Sequence, residues 1–390
     1  YVAQESARAM INQKNGAIVN MSSIAADIGG PLENRSNTFP KPRVLWWGRF
    51  GNYGPDYPRN RTLMDSFERL GWDVVSFQPK LSALADLEAS LRGLRDISLV
   101  WVPCFRQRDV AAASRWARRH GIPLVFDPLI SAFDKQVFER GKFAADSRKG
   151  QRLLAWERGR FAMADRLIAD TQEHAAYFAE QHHYPLERIC VLPVGAEEAL
   201  FKPQPKTTND VPEALFFGTF IGLQGATFIA EAIALYSGPL CRLTFLGAGP
   251  DRQACEAIAA RASNPLVQVA FEDWVAITEH EVRNGASDLC PGVFGVGEKT
   301  NRVIPNKVYQ ALACDRPVIT IKADAYPDEL HGSSCGLLWV PPGDPQAIAS
   351  SLAQAFSSEP VAGVGAGVAN GTYQAHFSNQ EIRAELATLL

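Results

Sequence analysis

In the stretch Arg302-Val-Ile-Pro-Asn-Lys307, Pro305 presets the first turn of a helix, and Asn306 and Lys307 sit at its start. The helix dipole already favours anions at that end, so a cation there needs a reason. A bound diphosphate supplies one. Arg302, just upstream in the same loop, can clamp the same group with its planar fork. The alternative is a solvated pair of charges at a helix end. A second candidate is Gly247-Ala-Gly-Pro250, which follows an apolar run and opens a helix near Gln253. Without side chains, Gly247 and Gly249 let a ligand approach backbone N–H groups at the positive helix end. A strand-to-helix turn that needs only small residues reads the same way.

Two carboxylates lie where strand ends are expected. Asp127 closes an apolar run and Asp134 begins the following segment, so both can line a cleft and orient acceptor hydroxyls; for Asp134, helix capping is the alternative. Residues 135–160 hold eight cations (Lys135, Arg140, Lys142, Arg148, Lys149, Arg152, Arg158, Arg160) against Glu139, Asp146 and Glu157. Phe138, Phe143, Leu153, Leu154 and Trp156 are interleaved with them, a composition suited to an anionic membrane surface and equally to a solvated helix face. His182 and His183 read as an exposed pair without partners at metal-ligand spacing.

These residues need a frame. From Arg43 onward, short apolar runs alternate with amphipathic segments: strands at 43–47, 72–77, 97–102 and 123–126, helices at 61–70, 81–94 and 108–120. A basic helical stretch, a strand at 166–169, a helix from Gln172 and a strand at 189–192 follow. Residues 201–212 contain three prolines among mostly polar residues, the composition of a linker. The alternation then restarts, with strands at 214–218, 242–245, 267–271 and 317–321 and helices at 227–234, 253–262, 307–313 and 345–356. The fold class is α/β: two Rossmann-like, doubly wound parallel-sheet domains facing a cleft. The domains are set at 41–205 and 206–372, with a C-terminal helix over 373–390 returning to the first.

Composition narrows the function. The chain has 390 residues, 39 Lys plus Arg against 42 Asp plus Glu, and a formal charge of −3, which lacks the basic footprint of a nucleic-acid binder. Seven scattered cysteines form no CxxC pair, which fits a reducing cytoplasm. No apolar run approaches the ~18 residues of a membrane span, so a soluble protein is expected, one able to lie against a membrane.

Residues 1–36 differ from the rest. GAIVNMSSIAADIGGP at 16–31 resembles the serine-bearing strand of short-chain dehydrogenases, but neither the upstream glycine-rich turn nor a downstream Tyr-x-x-x-Lys pair is present. Residues 1–40 are therefore read as an inert remnant plus linker, and an oxidoreductase is disfavoured.

Residues 43–390 resemble glycosyltransferase family 4, with its GT-B arrangement of two Rossmann domains. The resemblance rests on HGIPLVFDPLISAFDK, ADRLIADT and ICVLPVGAEEALFKP in the first half, then FFGTFIGLQG, LTFLGAGP, FEDWV, RVIPNKVYQALACDRPVIT and GLLWVPPGDP in family order. It implies a retaining, metal-independent transfer of a sugar from a nucleotide diphosphate sugar to a glycan or lipid-linked acceptor, with no cofactor. The leaving phosphate would take the acceptor proton. It also implies a donor site around Gly218, Thr219, Gln224, Gly247, Gly249, Pro305, Asn306, Lys307 and Gln310, and a cleft-facing loop at Gly48, Gly51 and Gly54. Asp127, Arg302 and Lys307 are the residues expected to carry the reaction. Where the family commonly has an Arg and a Lys on the diphosphate, this chain has Thr219 and Gln224; where it has two glutamates eight apart, this chain has Arg302 and Gln310. Arg302 and Lys307 can replace the lost cations, and a glutamine can still accept from a ribose hydroxyl. A catalytically weak nucleotide-sugar binding protein is the runner-up.

Overall fold

A computed structural model describes residues 40–48, 57–204, 209–332, 334–357 and 364–390. Residues Pro42–Leu390 form one compact unit. The segment read as a dehydrogenase remnant, together with Gly51 and Gly54, lies outside the described residues.

Six parallel strands form the first sheet: β1 (Arg43–Trp47), β2 (Asp73–Phe77), β3 (Leu99–Val102), β4 (Leu124–Phe126), β5 (Arg166–Ala169) and β6 (Ile189–Val191), in the order β2-β1-β3-β4-β5-β6. The strands are apolar on both faces because helices cover both. Leu45, Trp47, Val100 and Val102 point to one side, among Ala85, Ala89 and Trp116. These come from helices α2 (Ala85–Leu91) and α3 (Val110–His120). Val44, Trp46 and Trp101 point to the other, among Leu63, Phe67, Ile382 and Leu386. Those belong to α1 (Pro58–Arg69) and to the C-terminal helix Asn379–Leu389, which thus packs on the first sheet. Trp46 and Trp101, on adjacent strands, stack at 5.9 Å. The segment at 81–94, predicted as one helix, is a 3-10 turn (Ser82–Leu84) followed by α2, and the chain leaves it through Gly93 at φ +64°.

The second sheet is built in two halves. β7 (Glu213–Phe217), β8 (Cys241–Leu246) and β9 (Val267–Glu272) form one; β10 (Cys290–Pro291), β11 (Val318–Ile321) and β12 (Leu337–Val340) form the other. A parallel bridge between Ala214 and Leu289 joins them, with Leu215 N–H donating to the Leu289 carbonyl at 2.9 Å. The spatial order is therefore β9-β8-β7-β10-β11-β12, which reverses direction between β7 and β10. Among the described residues no helix is long and apolar enough to cross a membrane.

The carboxyl edge of the first sheet is pinned by one guanidinium. Arg59, on α1, donates from Nε to Asp127 Oδ2 at 2.8 Å and from Nη1 to the carbonyls of Leu192 and Pro193 at 2.6 and 2.8 Å. Arg59 and Asp127 are both 0% exposed. This corrects the expectation that Asp127 reaches into the cleft: it is a buried structural carboxylate. Burial pushes its pKa up, against the pull of the Arg59 charge. Removing one partner of a buried pair strands the other charge, at a cost of about 3–5 kcal/mol. Arg59→Met is therefore expected to lower the urea unfolding free energy by that order, and Asp127→Asn, which keeps an oxygen acceptor but removes the only carboxylate paired with Arg59 among the described residues, should cost a comparable amount.

Candidate active site

Open α/β sheets bind ligands outside the carboxyl ends of their strands, where the strand order reverses. In the second sheet that point is the end of β7, which leads into Gly218-Thr219-Phe220. Helix α10 (Asn306–Ala313) points its start at this turn. The longer helical segments between α3 and α10 are α4 (Arg148–Phe161), α5 (Gln172–His182), α6 (Ala226–Leu235), α7 (Arg252–Ala262), α8 (Ile277–Ala286) and α9 (Glu298–Arg302). A Cβ on Gly218, whose φ is +153°, would lie 3.1 Å from Lys307 Nζ and 3.7 Å from Gln224 Oε1.

Lys307 is 4% exposed. Its Nζ sits 3.6 Å from the centroid of the Phe216 ring and makes no hydrogen bond. Gln224 Oε1 is likewise buried without a partner. Burial pushes the Lys307 pKa down to about 7, slightly offset by the nearby Cys290 thiol. Two unpartnered polar atoms of opposite hydrogen-bonding character thus flank the same backbone turn. Gln310 follows Lys307 by three positions, on the same face of α10, and is 6% exposed. Asn306 is half-buried and Thr219 exposed. Pro305 caps α10 from outside, with ψ 153°, rather than occupying its first turn.

Of the two readings the sequence allows for the glycines of the β8 turn, the structure displays the close packing that needs small residues. A Cβ on Gly247 would lie 2.1 Å from the Gly218 carbonyl oxygen, and one on Gly249 would lie 2.5 Å from the backbone of Phe220. Phe220 N–H donates to the Ala248 carbonyl at 3.0 Å. Gly247 and Gly249 are small so that two strand-end loops can touch, which holds the Gly218 turn in place.

Arg302 does not join Lys307. Its Nη2 lies 3.1 Å from Asp134 Oδ1, its guanidinium stacks 4.3 Å from the Tyr177 ring centroid, and its carbonyl accepts from Thr171 Oγ1 at 2.7 Å. All three partners belong to the first domain. Lys299, on the same short helix α9, pairs with Glu139 and lies 3.6 Å from Asp134 Oδ2. Two expectations are corrected together: Arg302 bridges the domains rather than clamping a phosphate, and Asp134 neither caps a helix nor faces an acceptor. The cap of that turn is Ser131, whose Oγ accepts from Asp134 N–H at 3.1 Å. The domains also share an apolar cluster, in which Cys104, Leu129 and Val194 meet Ile304, Val308 and Tyr309. A cavity of about 550 Å³ lies between them, lined by Phe138 and Glu139 on one side and Leu223, Phe228, Glu298 and Lys299 on the other.

Glu157 went unread in the sequence. It is 0% exposed and accepts from Ser131 Oγ at 2.6 Å, Ala132 N–H at 2.5 Å and Phe133 N–H at 3.0 Å, so it fixes the turn that carries Asp134. A lone acid on the apolar side of an arginine-rich helix was the available signal. His182 is also corrected. It is 3% exposed, packed against Phe161 at 4.2 Å, and burial pushes its pKa down to about 3; His183 ends α5 at φ +55°. Among the described residues no three His, Cys, Asp or Glu side chains converge as a metal site. Of the basic stretch, Arg140, Lys142, Arg148, Lys149 and Arg152 are exposed, as is Phe138.

Two sequence families match the chain: a glycosyl transferase 4-like domain over residues 52–195 and glycosyl transferases group 1 over residues 211–358. Neither family match extends to the dehydrogenase-like segment, and no curated protein matches the chain. Among solved structures, HepE of Anabaena in complex with UDP-glucose is similar, with a TM-score of 0.64 at 15% identity, covering 90% of this chain and 99% of that one. The apo lipopolysaccharide outer core galactosyltransferase WaaB gives 0.59 at 13% identity, covering 89% and 98%. An alpha-glucosyltransferase in complex with UDP and a 13-mer DNA gives 0.60 at 10% identity, covering 90% and 99%. At these identities the likeness is one of fold.

The Lys307 environment has a consequence for stability. With a folded pKa of about 7 against an ordinary 10.5, the unfolded chain binds more protons than the native one between those values. Native stability attributable to this group therefore rises with pH across that window, by about 1.4 kcal/mol per unit. Lys307→Met removes the effect. The variant should unfold at higher urea than the parent at pH 7, with an advantage that shrinks through pH 8 and 9; an advantage independent of pH would contradict a buried, destabilised ammonium.

Proposed function

Since the chain carries both the glycosyl transferase 4-like and the group 1 domains, it belongs to the GT-B glycosyltransferases, and we propose that it is a retaining, metal-independent hexosyltransferase using a nucleotide diphosphate sugar and a glycan or lipid-linked acceptor. The observation that carries this is Lys307: a buried cation without a hydrogen-bond partner, held at the strand-order reversal of the second sheet. An uncompensated polar group of that kind is costly to fold and is retained where a ligand completes it. A diphosphate oxygen on Nζ restores the ammonium and receives a charge-assisted hydrogen bond. N–H groups at the start of α10 add to this, and Gln310, one turn on, accepts from the ribose. As the bond from sugar C1 to the phosphate oxygen breaks, the new negative charge develops beside this preorganised cation. The acceptor oxygen bonds C1 on the same face and its proton passes to the departing phosphate, so no side-chain base is needed.

Solved relatives in fold are described with UDP and UDP-glucose, which supports a nucleotide sugar as the donor. Seven cysteines without a disulfide support a reducing, cytoplasmic setting. Phe138, 54% exposed among exposed cations, supports peripheral contact with an anionic membrane. Thr219 and Gln224 favour one second reading, a weakly catalytic nucleotide-sugar binder, since neither replaces the charge that the family's cations bring.

The test is donor binding and transfer with a panel of UDP-, GDP- and ADP-sugars. Lys307→Ala should weaken the preferred donor by about 2–3 kcal/mol, the order of a charge-assisted bond to a desolvated group, while leaving the bare nucleoside nearly unaffected. Excess EDTA should leave transfer intact. Loss of transfer restored by Mn²⁺ would overturn metal independence, and donor binding without any transfer would favour the second reading.

A further inference from the structure

A cavity of about 340 Å³ lies where the chain crosses between the domains, and it shares no lining residue with the interdomain cavity described above. Helix α1 supplies Arg61, Thr62, Asp65 and Arg69. The segment that leaves the first domain after β6 supplies Glu197 to Leu200, and the C-terminal helix that returns to it supplies Asn379 and Arg383. The outgoing and returning segments are tied to each other. Glu198 Oε1 accepts from Asn379 N–H at 2.7 Å and from Tyr373 Oη at 3.2 Å, while the Glu197 carbonyl accepts from the N–H groups of Leu200 and Phe201, both at 2.8 Å.

Three lining residues keep a polar atom without a hydrogen-bond partner: Glu197 Oε2, Asn379 Oδ1 and Thr62 Oγ1. Their residues are 8%, 9% and 4% exposed, so water does not reach them freely. The carboxylate and amide oxygens can only accept, and buried acceptors left open are costly unless something donates to them. The cations are distributed differently. Arg61 pairs with the other oxygen of Glu197, and Arg69 holds Asp65 at 2.6 Å. Arg383, half-buried, makes no ion pair among the described residues. Three arginines against three carboxylates leave the lining balanced, which suits a ligand of zero net charge. Its polarity is ordered, however, with open acceptors in the buried part and an unpaired guanidinium nearer solvent. An ammonium answers the first and a carboxylate the second. A divalent cation fits poorly, because Arg61 already sits on Glu197 and no three acidic or other ligating side chains converge among the described residues. At about 30 Å³ per water the volume is that of roughly eleven waters, the size of a free amino acid, and Leu200 adds an apolar wall.

We propose that this cavity binds a free amino acid with an apolar side chain, its ammonium donating to Glu197 Oε2 and Asn379 Oδ1, its carboxylate on Arg383 and its side chain against Leu200. The site stands on the cavity alone and does not depend on the transferase reading above.

The probes are L-leucine, L-leucinamide, which lacks the carboxylate, 4-methylpentanoate, which lacks the ammonium, and glucose, titrated by calorimetry against the full chain at pH 7. L-leucine should bind at least tenfold more tightly than any of the other three. Arg383→Gln should weaken L-leucine about tenfold and leave L-leucinamide unchanged. Asn379→Ala should weaken L-leucine by a similar factor and leave 4-methylpentanoate unchanged. Arg383 is half-buried and unpaired, so its variant reads the site without a folding defect even if the change at Asn379 disturbs the helix start. L-leucine binding no better than its two fragments, or unchanged in either variant, would overturn the proposal. Glucose binding more tightly than L-leucine would do so as well, since it would mark a site for hydroxyl groups rather than for separated charges.

Discussion

Arg59 is the interaction on which the rest of the first domain depends. Its guanidinium gathers the end of β4 through Asp127 and the exit of β6 through the carbonyls of Leu192 and Pro193. The first fixes where the turn carrying Ser131 and Asp134 begins; the second fixes where the chain departs toward the second sheet. A buried arginine with its carboxylate contributes little net stability over an apolar pair, but it tolerates few alternative arrangements. What it contributes here is position: the ends of β4 and β6 held at a fixed separation beside α1, from which the interdomain contacts are built.

The second domain solves the complementary problem with backbone rather than charge. The β8 turn presses against the Gly218–Phe220 turn so closely that neither Gly247 nor Gly249 has room for a side chain. That contact leaves the Gly218 turn little freedom, and it is this turn that Lys307 and Gln224 flank. A cation over an aromatic ring with no hydrogen bond is a poor ground state, and the tight backbone around it prevents relaxation that would give the ammonium a protein partner. Rigidity of the glycine loops and the unpartnered, buried state of the lysine are one design.

Much of the frame was legible because parallel strands covered on both faces must be apolar throughout, and runs such as Val44–Trp47 leave few other readings. The position of Lys307 was legible too, as a cation in the first turn of a helix. The misread residues share one property, a partner distant in sequence. Asp127 meets Arg59 across 68 positions, and Arg302 meets Asp134 across 168. No spacing rule sees such pairs, so a carboxylate at a strand end and an arginine in a loop were both assigned to ligand. The glycines of the β8 turn were rightly read as positions of close approach, but the approaching atoms belong to the neighbouring loop. Helices α8 and α9 escaped notice because they are short and polar, with little apolar periodicity to mark them.

The contacts made by α9 tie two properties that are usually separate. Thr171, Tyr177, Asp134 and Glu139 all grip a five-residue helix that ends four positions before the start of α10. Drawing the halves apart must first release this helix or drag it, and dragging it moves the base of the helix that carries Lys307. The gap between the domains and the position of the cation thus form a single mechanical coordinate.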